Sequence, residues 1–571
     1  MFKNSKFILF IKKRKSYSHT MKWLKQQTKP FIPSLALLLL LDLAATGIGI
    51  GMTLISRSII DAATAGTSYK NNVFLYVSVI VISLAVSAVT TILTSVINEN
   101  FSFNIRLRTY NTIMNSYWQD ISRYHSGDVI TRLSSDVDIA ANGIAEILPS
   151  IFSLASRLIM AFITLACFDW GIAAFALILA PITAFIGIIS GRSMGPIQAK
   201  VQQSESAYKS YMQESISNLT VFKAFGAQNQ AGETLKKLRT QRFEWVMKRQ
   251  KVSAVSSTML ALAFQAGYIS AFVYSAQQLS ANIITYGTMS VFISLVGQIQ
   301  SPVLGLSKVI PRVVSIFTSA QRIIELDAIP PEDMSVPEFK TAELGLRVSD
   351  VSFTYERDEI FKDACLCINP GEFVAIMGSS GIGKTTFVRL AMAYIAPDSG
   401  CISLFDRTGT EHMVTAGARK YISYVPQGNT LISGRIIDNI RLGAPEISES
   451  EIWEILKVVA VDDFVRSTPE LLNTVIGERG LGLSEGQAQR LALARALAAK
   501  ASVLILDEST SALDEETELS VLRHLHAHKK GITCLLISHR RSVLEFCDRC
   551  VKVSDKHFAE DGEELYSLPT N

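Results

Sequence analysis

Apolar positions follow two regimes along the chain. Before residue 310 they run in long stretches that charge scarcely interrupts. Val252 to Ser307 holds 56 consecutive residues without Asp, Glu, Lys or Arg, whereas a bilayer-spanning helix needs about 20 apolar residues. Two spans fit there, with a turn near Ala281 to Gly287. Val73 to Ile97 and Gly171 to Ser190 are further charge-free runs of 25 and 20 residues. Ile32 to Ile55 carries only Asp42, and Ile144 to Phe168 only Glu146 and Arg157; both remain apolar enough to span. The pattern predicts six membrane helices. After residue 340 the regime changes to short β-branched runs alternating with helical stretches, the mark of an α/β sheet.

Composition sharpens the first regime. Charged residues make up 19% of the 571, below the roughly 25% of a soluble domain. The 55 basic and 51 acidic residues leave a net charge of +4, so no general basic footprint points to a nucleic-acid partner. The basic residues are placed by topology instead. Residues 1–30 hold nine Lys or Arg and no acid, and residues 191–251 hold eleven against four acids. The opposite loops are short and nearly uncharged, so the positive-inside rule places both termini in the cytoplasm. The two inside connections, 46 and 61 residues long by these boundaries, exceed ordinary loops and are expected to continue the helices. Phe7 to Ile11 falls short of a secretory signal core of about 7 to 15 residues, so residues 1–30 read as a basic tail. Seven cysteines, an odd number thinly spread, fit a reducing compartment.

The candidate chemistry lies in the second regime. Gly378, Ser379, Ser380, Gly381, Ile382, Gly383, Lys384 and Thr385 follow an apolar strand, Phe373 to Met377, and precede a helical stretch that begins at Thr386. This is the setting of a P-loop. Its backbone N–H groups wrap phosphate oxygens, the helix N-terminus adds positive potential, Lys384 reaches the terminal phosphates and Thr385 ligates Mg²⁺. A second buried strand, Val503 to Leu506, ends in Asp507 and Glu508, which puts two carboxylates at the edge where open α/β sheets bind ligands. Asp507 is expected in the Mg²⁺ shell, and Glu508 beside the attacking water.

Between these motifs lies Leu483-Ser484-Glu485-Gly486-Gln487-Ala488-Gln489-Arg490. Here the chain resembles the ATP-binding cassette (ABC) transporters, and this run looks like their signature motif. The resemblance extends over nearly the whole chain. Tyr355 matches the aromatic that stacks on adenine, Gln427 the Q-loop that also reaches Mg²⁺, Asp514 the D-loop, and His539 the switch histidine that acts with Glu508 and Lys384. Val475-Ile-Gly-Glu478-Arg-Gly looks like the segment that in exporters touches the membrane domain. Trp118 to Tyr124 and Ser215 to Val221 match the family's coupling contacts. The resemblance implies a dimer of half-transporters, homomeric or heteromeric, in which Ser484, Glu485, Gly486 and Gln487 face the ATP of the partner chain.

One position departs from the family. Glu485 stands where a glycine is common, and an inward carboxylate about 6 Å from the triphosphate would cost roughly 3 kcal/mol at an effective dielectric near 20. In the membrane, Asp42 and Arg157 lie at compatible depths. Charges there usually face a cavity or each other, so they are expected either to pair or to contact substrate.

The expected architecture is a membrane all-α six-helix domain of the ABC exporter type followed by an α/β P-loop NTPase domain. Residues 1–30 form the tail, 31–325 the membrane domain, 326–340 a proline-rich acidic linker and 341–571 the ATPase. The expected function is ATP-driven export of amphipathic small molecules, lipids or peptides, with ATP and Mg²⁺ as cofactors, across a bacterial inner membrane. An importer of metal chelates and an ATP-gated channel subunit share this fold and remain alternatives. With about 30 residues ahead of the first span, no leader-cleaving module is expected.

Overall fold

Six long helices arise where the apolar runs lie. A computed structural model describes residues 18–355, 358–379, 381–428, 430–477, 482–508, 515–527 and 531–560. It divides into two compact units, one of residues up to 111 with 126–328, the other of 112–125 with 329 onward. In the first unit the helices are α1 (Ile32–Thr64), α2 (Lys70–Met114), α3 (Leu148–Phe168), α4 (Trp170–Ser217), α5 (Gln228–Ser280) and α6 (Tyr286–Asp327). Several run far past the 30 Å or so of a bilayer core: at about 1.5 Å per residue, the 53 residues of α5 reach about 80 Å. The long polar connections are therefore mostly helix. Helix also precedes α3 from Ser126, interrupted by π-turns at Arg132–Asp136 and Gly143–Ile147. The second π-turn leads into Pro149, which has no N–H to give the preceding turn.

Packing in this unit relies on small residues, as it must where lipid is as apolar as leucine. A Cβ on Gly143 would lie 2.6 Å from Ile316 of α6, so this close approach excludes any larger side chain. Polar fastenings gather at the helix ends. Asp61 of α1 accepts the backbone N–H of Gly287, 2.9 Å away, and Tyr274 of α5 donates to Asp169 at 3.1 Å. At the opposite end Asp327 accepts from Trp23 and from Thr109, each at 3.1 Å. Nearby, Arg132 bridges Asp128 and Glu325.

The second unit is built on two sheets, with a separate antiparallel pair of short strands, β7 (Gly434–Arg435) and β8 (Val475–Ile476). Strands β1 (Leu344–Tyr355), β2 (Asp358–Ile368), β4 (Ser399–Asp406) and β5 (Glu411–Met413) form an antiparallel sheet in the order β2-β1-β4-β5. The other sheet has the order β12-β11-β3-β10-β9-β6, from β3 (Phe373–Met377), β6 (Ile422–Val425), β9 (Val503–Asp507), β10 (Thr533–Ile537), β11 (Arg549–Ser554) and β12 (His557–Glu560). Its neighbours are parallel except at the β11–β12 edge. Every residue of β9 and β10 is buried, as expected of strands covered on both faces. Register aligns Ile376, Ile537 and Asp507 in one row, so the loops after β3, β10 and β9 leave the sheet side by side.

Candidate ATP site

The loop after β3 curls because its glycines allow it. Gly381 and Gly383 have φ of 81° and 117°, in the region that side chains disfavour. A Cβ on Gly383 would also come within 2.6 Å of Ile360. Gly383 is the N-cap of α7 (Lys384–Ala391), which aims the first N–H groups of that helix into the loop. Lys384 is buried and donates to the carbonyls of Gly378 at 2.6 Å and Ser379 at 3.2 Å. Burial pushes its pKa down, against the pull of the Glu508 and Asp507 charges. Thr385 and Thr386 open the first turn of α7, with Thr385 exposed and Thr386 buried. Ile382 is half-buried against Gly378, and Ser380 lies outside the described residues.

The loops after four parallel strands converge here. Glu508, just past β9, has φ of 48° and donates its backbone N–H to Ile537 of β10 at 3.0 Å. Its carboxylate is bracketed: Gln427, after β6, donates Nε2 to Oε2 at 2.7 Å, and His539 Nε2 lies 2.8 Å from Oε1. The same His539 nitrogen is 3.1 Å from Lys384 Nζ. One ring nitrogen cannot donate and accept at once. Because the Glu508 carboxylate only accepts, the proton on Nε2 belongs to the Glu508 contact.

Asp507 is 3% exposed, and its Oδ2 accepts the Tyr424 hydroxyl at 3.3 Å. Burial raises its pKa, and the adjacent Glu508 charge adds to the rise. Burial likewise raises that of Tyr424, with the Asp507 charge beside it. The donor set fits Mg²⁺. Thr385 and Asp507 offer oxygen, and Gln427, with its nitrogen turned to Glu508, leaves its carbonyl oxygen for a metal. Mg²⁺ sites commonly combine one or two carboxylates with substrate phosphates.

Tyr355 ends β1 and packs edge-on against Phe353, with centroids 4.8 Å apart. Ser484 caps α8 (Glu485–Ala498) in a capping box with Gln487: Gln487 N–H donates to Ser484 Oγ at 3.2 Å, and Ser484 N–H to Gln487 Oε1 at 2.9 Å. Glu485 is exposed in the first turn and Gly486 half-buried, and a helix start favours an acid. Among the described residues, no hydrogen bond joins Ser484–Gln487 to the loop after β3. Asp514 and the run Glu478-Arg479-Gly480 lie outside the described residues.

One expectation needs correction. Asp42 and Arg157 form no ion pair within 4.0 Å, although the Arg157 charge acts on Asp42 through space. They sit on packed helices at the same depth, since Gly47 of α1 meets Met160 of α3. Asp42 is half-buried and Arg157 is exposed. Sequence reasoning missed Tyr424 as a partner of Asp507, because nothing in the strand Ile-Ser-Tyr-Val marks it. It also missed Arg389 on α7, whose Nη1 donates to the Tyr355 hydroxyl at 3.3 Å.

Fold and site together define a membrane protein driven by nucleotide hydrolysis. Residues 35–303 match the family described as "ABC transporter transmembrane region", and residues 361–511 the one described as "ABC transporter". The chain is 28% identical over 475 residues to an ATP-dependent lipid A-core flippase of Syntrophus aciditrophicus, covering 82% of this chain and 79% of that protein. It is also 28% identical to a putative export ATP-binding/permease protein of Rickettsia bellii, over 94% of this chain and 92% of the relative. A bacterial Atm1-family ABC exporter solved with ATP bound superposes with a TM-score of 0.79 at 21% identity, covering 93% and 95% of the two chains. The chain belongs to the ABC transporters, as a half-transporter of the exporter type. It is a multi-pass membrane protein whose ATP hydrolysis is coupled to transport.

Proposed function

We propose that two such chains work as a dimer, in which Ser484, Glu485, Gly486 and Gln487 of each complete the ATP site of the other. The reading rests on the bracketing of Glu508 by Gln427 and His539 beside Lys384. Tyr355 stacks on the adenine, tolerant of base because every base has a π-face. The P-loop N–H groups and Lys384 bind the phosphates. Thr385, Gln427 and Asp507 hold Mg²⁺, which supplies charge neutralisation on the phosphates. Glu508 orients the attacking water and takes its proton. His539 keeps the carboxylate in line and Gln427 links it to the metal shell, so closure of two chains completes a preorganised site. Asp514 keeps the D-loop role that the resemblance implies.

The tail and both termini face the cytoplasm of a bacterial cell. Cargo is an amphipathic small molecule, lipid or peptide, and the lipid A-core flippase among the relatives favours a lipid. Asp42 and Arg157, which form no ion pair within 4.0 Å, contact the cargo. Unchanged transport in both Asp42→Asn and Arg157→Gln would remove that contact.

The test of the composite site mixes two dead variants in one membrane. Lys384→Ala disables the phosphate loop and Ser484→Arg the signature, so neither hydrolyses ATP alone. In a composite dimer the mixed pair retains one intact site and recovers activity. No recovery would contradict the reading. The same proteoliposomes, given a labelled phospholipid, an amphipathic dye and a peptide, report cargo and direction.

A further inference from the structure

Arg389 has no role in the chemistry above, yet its side chain joins two parts of the nucleotide-binding unit. It lies in the last turn of α7, half-buried, and no carboxylate lies within 4.0 Å of it among the described residues. One side of its guanidinium donates to the Tyr355 hydroxyl at 3.3 Å. The guanidinium carbon also stands 4.7 Å from the ring centroid of Trp118, in the first long connection of the membrane helices, residues 112–125 of which group with the nucleotide-binding unit.

Trp118 has a second, aromatic neighbour. Its ring meets that of Tyr394 at 6.3 Å, and the neighbouring Gln119 N–H donates to the Tyr394 carbonyl at 3.3 Å. Tyr394 is itself fixed, since Arg419 lies 4.6 Å above its ring and pairs through both terminal nitrogens with Glu332, at 2.6 and 2.8 Å. So Trp118 leans on one rigid neighbour, Tyr394, and on one guanidinium whose position depends on the Tyr355 phenol. A cation over an indole face is worth about 0.5 to 2 kcal/mol, enough to change local opening severalfold. A base stacked on Tyr355 fixes that ring, and its hydroxyl then fixes Arg389.

We infer that Arg389 is a positioning residue that carries occupancy of the adenine platform, Tyr355, to the first connection between membrane helices through the face of Trp118. The inference rests on reading Tyr355 as the base platform. A ligand with phosphates and no base does not engage this route.

Hydrogen exchange of amides 116–124 tests this on the full chain in lipid discs, in the Glu508→Gln background so that ATP persists. ATP with Mg²⁺ is expected to slow exchange there about tenfold, and inorganic triphosphate to leave it unchanged. Arg389→Gln is expected to abolish most of that protection while ATP affinity stays within about twofold, since the side chain touches no phosphate. Arg389→Lys keeps the cation and is expected to restore part of it. Tyr355→Phe keeps the stacking face and removes only the hydroxyl, so it should also lose protection. Full protection in Arg389→Gln with ATP bound would overturn the inference, as would equal protection by triphosphate. Tyr355→Ala separates the two readings. Undiminished ATP affinity in that variant removes the platform, whereas weakened affinity with protection intact in Arg389→Gln removes only the route.

Discussion

Phe361, in the nucleotide-binding unit, is 1% exposed and lies 5.3 Å from the Phe558 ring, whereas Phe74, in α2, is 77% exposed. The contrast runs through both units. The nucleotide-binding unit encloses its apolar side chains in two cores, one around β1, β3 and α7 and the other around α8 and β9. In the membrane unit Leu84, Ile92, Ile163 and Leu262 all point outward, a pattern that a water-soluble chain of this size would not tolerate. Hydrophobicity drives folding where water is excluded by the protein itself. Where lipid excludes it, close packing and polar fastenings at the helix ends hold the bundle. Replacing the same residue type in each unit therefore probes different physics.

The largest difference is expected from aromatic truncation. Phe361→Ala should cost about 3 to 5 kcal/mol through lost burial and an internal cavity, while Phe74→Ala should change stability by less than about 0.5 kcal/mol; denaturation of each purified variant checks both. Charge inverts the ranking. Leu84→Lys puts an ammonium on a lipid-facing position of α2, at a cost of about 3 kcal/mol near the bilayer centre, and should lower the membrane-inserted fraction. Met413→Lys, on the exposed edge strand β5, should be neutral by the same assay. Equal losses from both lysines would break the comparison.

A smaller effect is expected at Glu485. Exposed in the first turn of α8, it gains about 0.3 kcal/mol from the helix dipole, so Glu485→Gly should alter ATP turnover by no more than about threefold. Complete loss of turnover would show that the carboxylate faces the phosphates. The mildest effect is acid sensitivity of the nucleotide-binding unit. Burial opposes the charge of Asp406, yet hydrogen bonds from Thr408, Thr410 and Lys340 outweigh it and hold the carboxyl at about 2. Lys500 and Ser448 hold Glu451 at about 2. Both values lie below the ordinary 3.8 and 4.5, so the stability they contribute is present above about pH 4.5 and fades as pH falls toward 2. Calorimetry should show the unit's melting temperature dropping in that window, and Asp406→Asn should shrink the drop.

How much could be read from the chain differed between the units for physical reasons. The membrane helices were legible because lipid demands unbroken apolar runs, and Val252 to Ser307 announces two of them in composition alone. Where helices continue into polar stretches, periodicity is weak and only the length of the connections hinted at them. In the nucleotide-binding unit the P-loop and the carboxylates after β9 were legible because phosphate chemistry fixes residue types at fixed spacings. The contacts that organise those residues were not. Gln427 and His539 are separated by 112 positions and meet at Glu508 only because β6, β9 and β10 are adjacent and parallel. Arg389 carries no motif at all. The ion-pair half of the expectation for Asp42 and Arg157 failed because depth along two helices was visible in sequence and the distance between their side chains was not.

The central claim is that Glu508, held between Gln427 and His539, is the carboxylate that makes ATP hydrolysis possible. Measuring ATPase and bound nucleotide in reconstituted Glu508→Gln tests it most directly. A general base contributes about 100-fold or more, so hydrolysis should fall at least that far while ATP remains bound and unhydrolysed in the protein. Turnover at the wild-type rate, or loss of ATP binding along with hydrolysis, would contradict it.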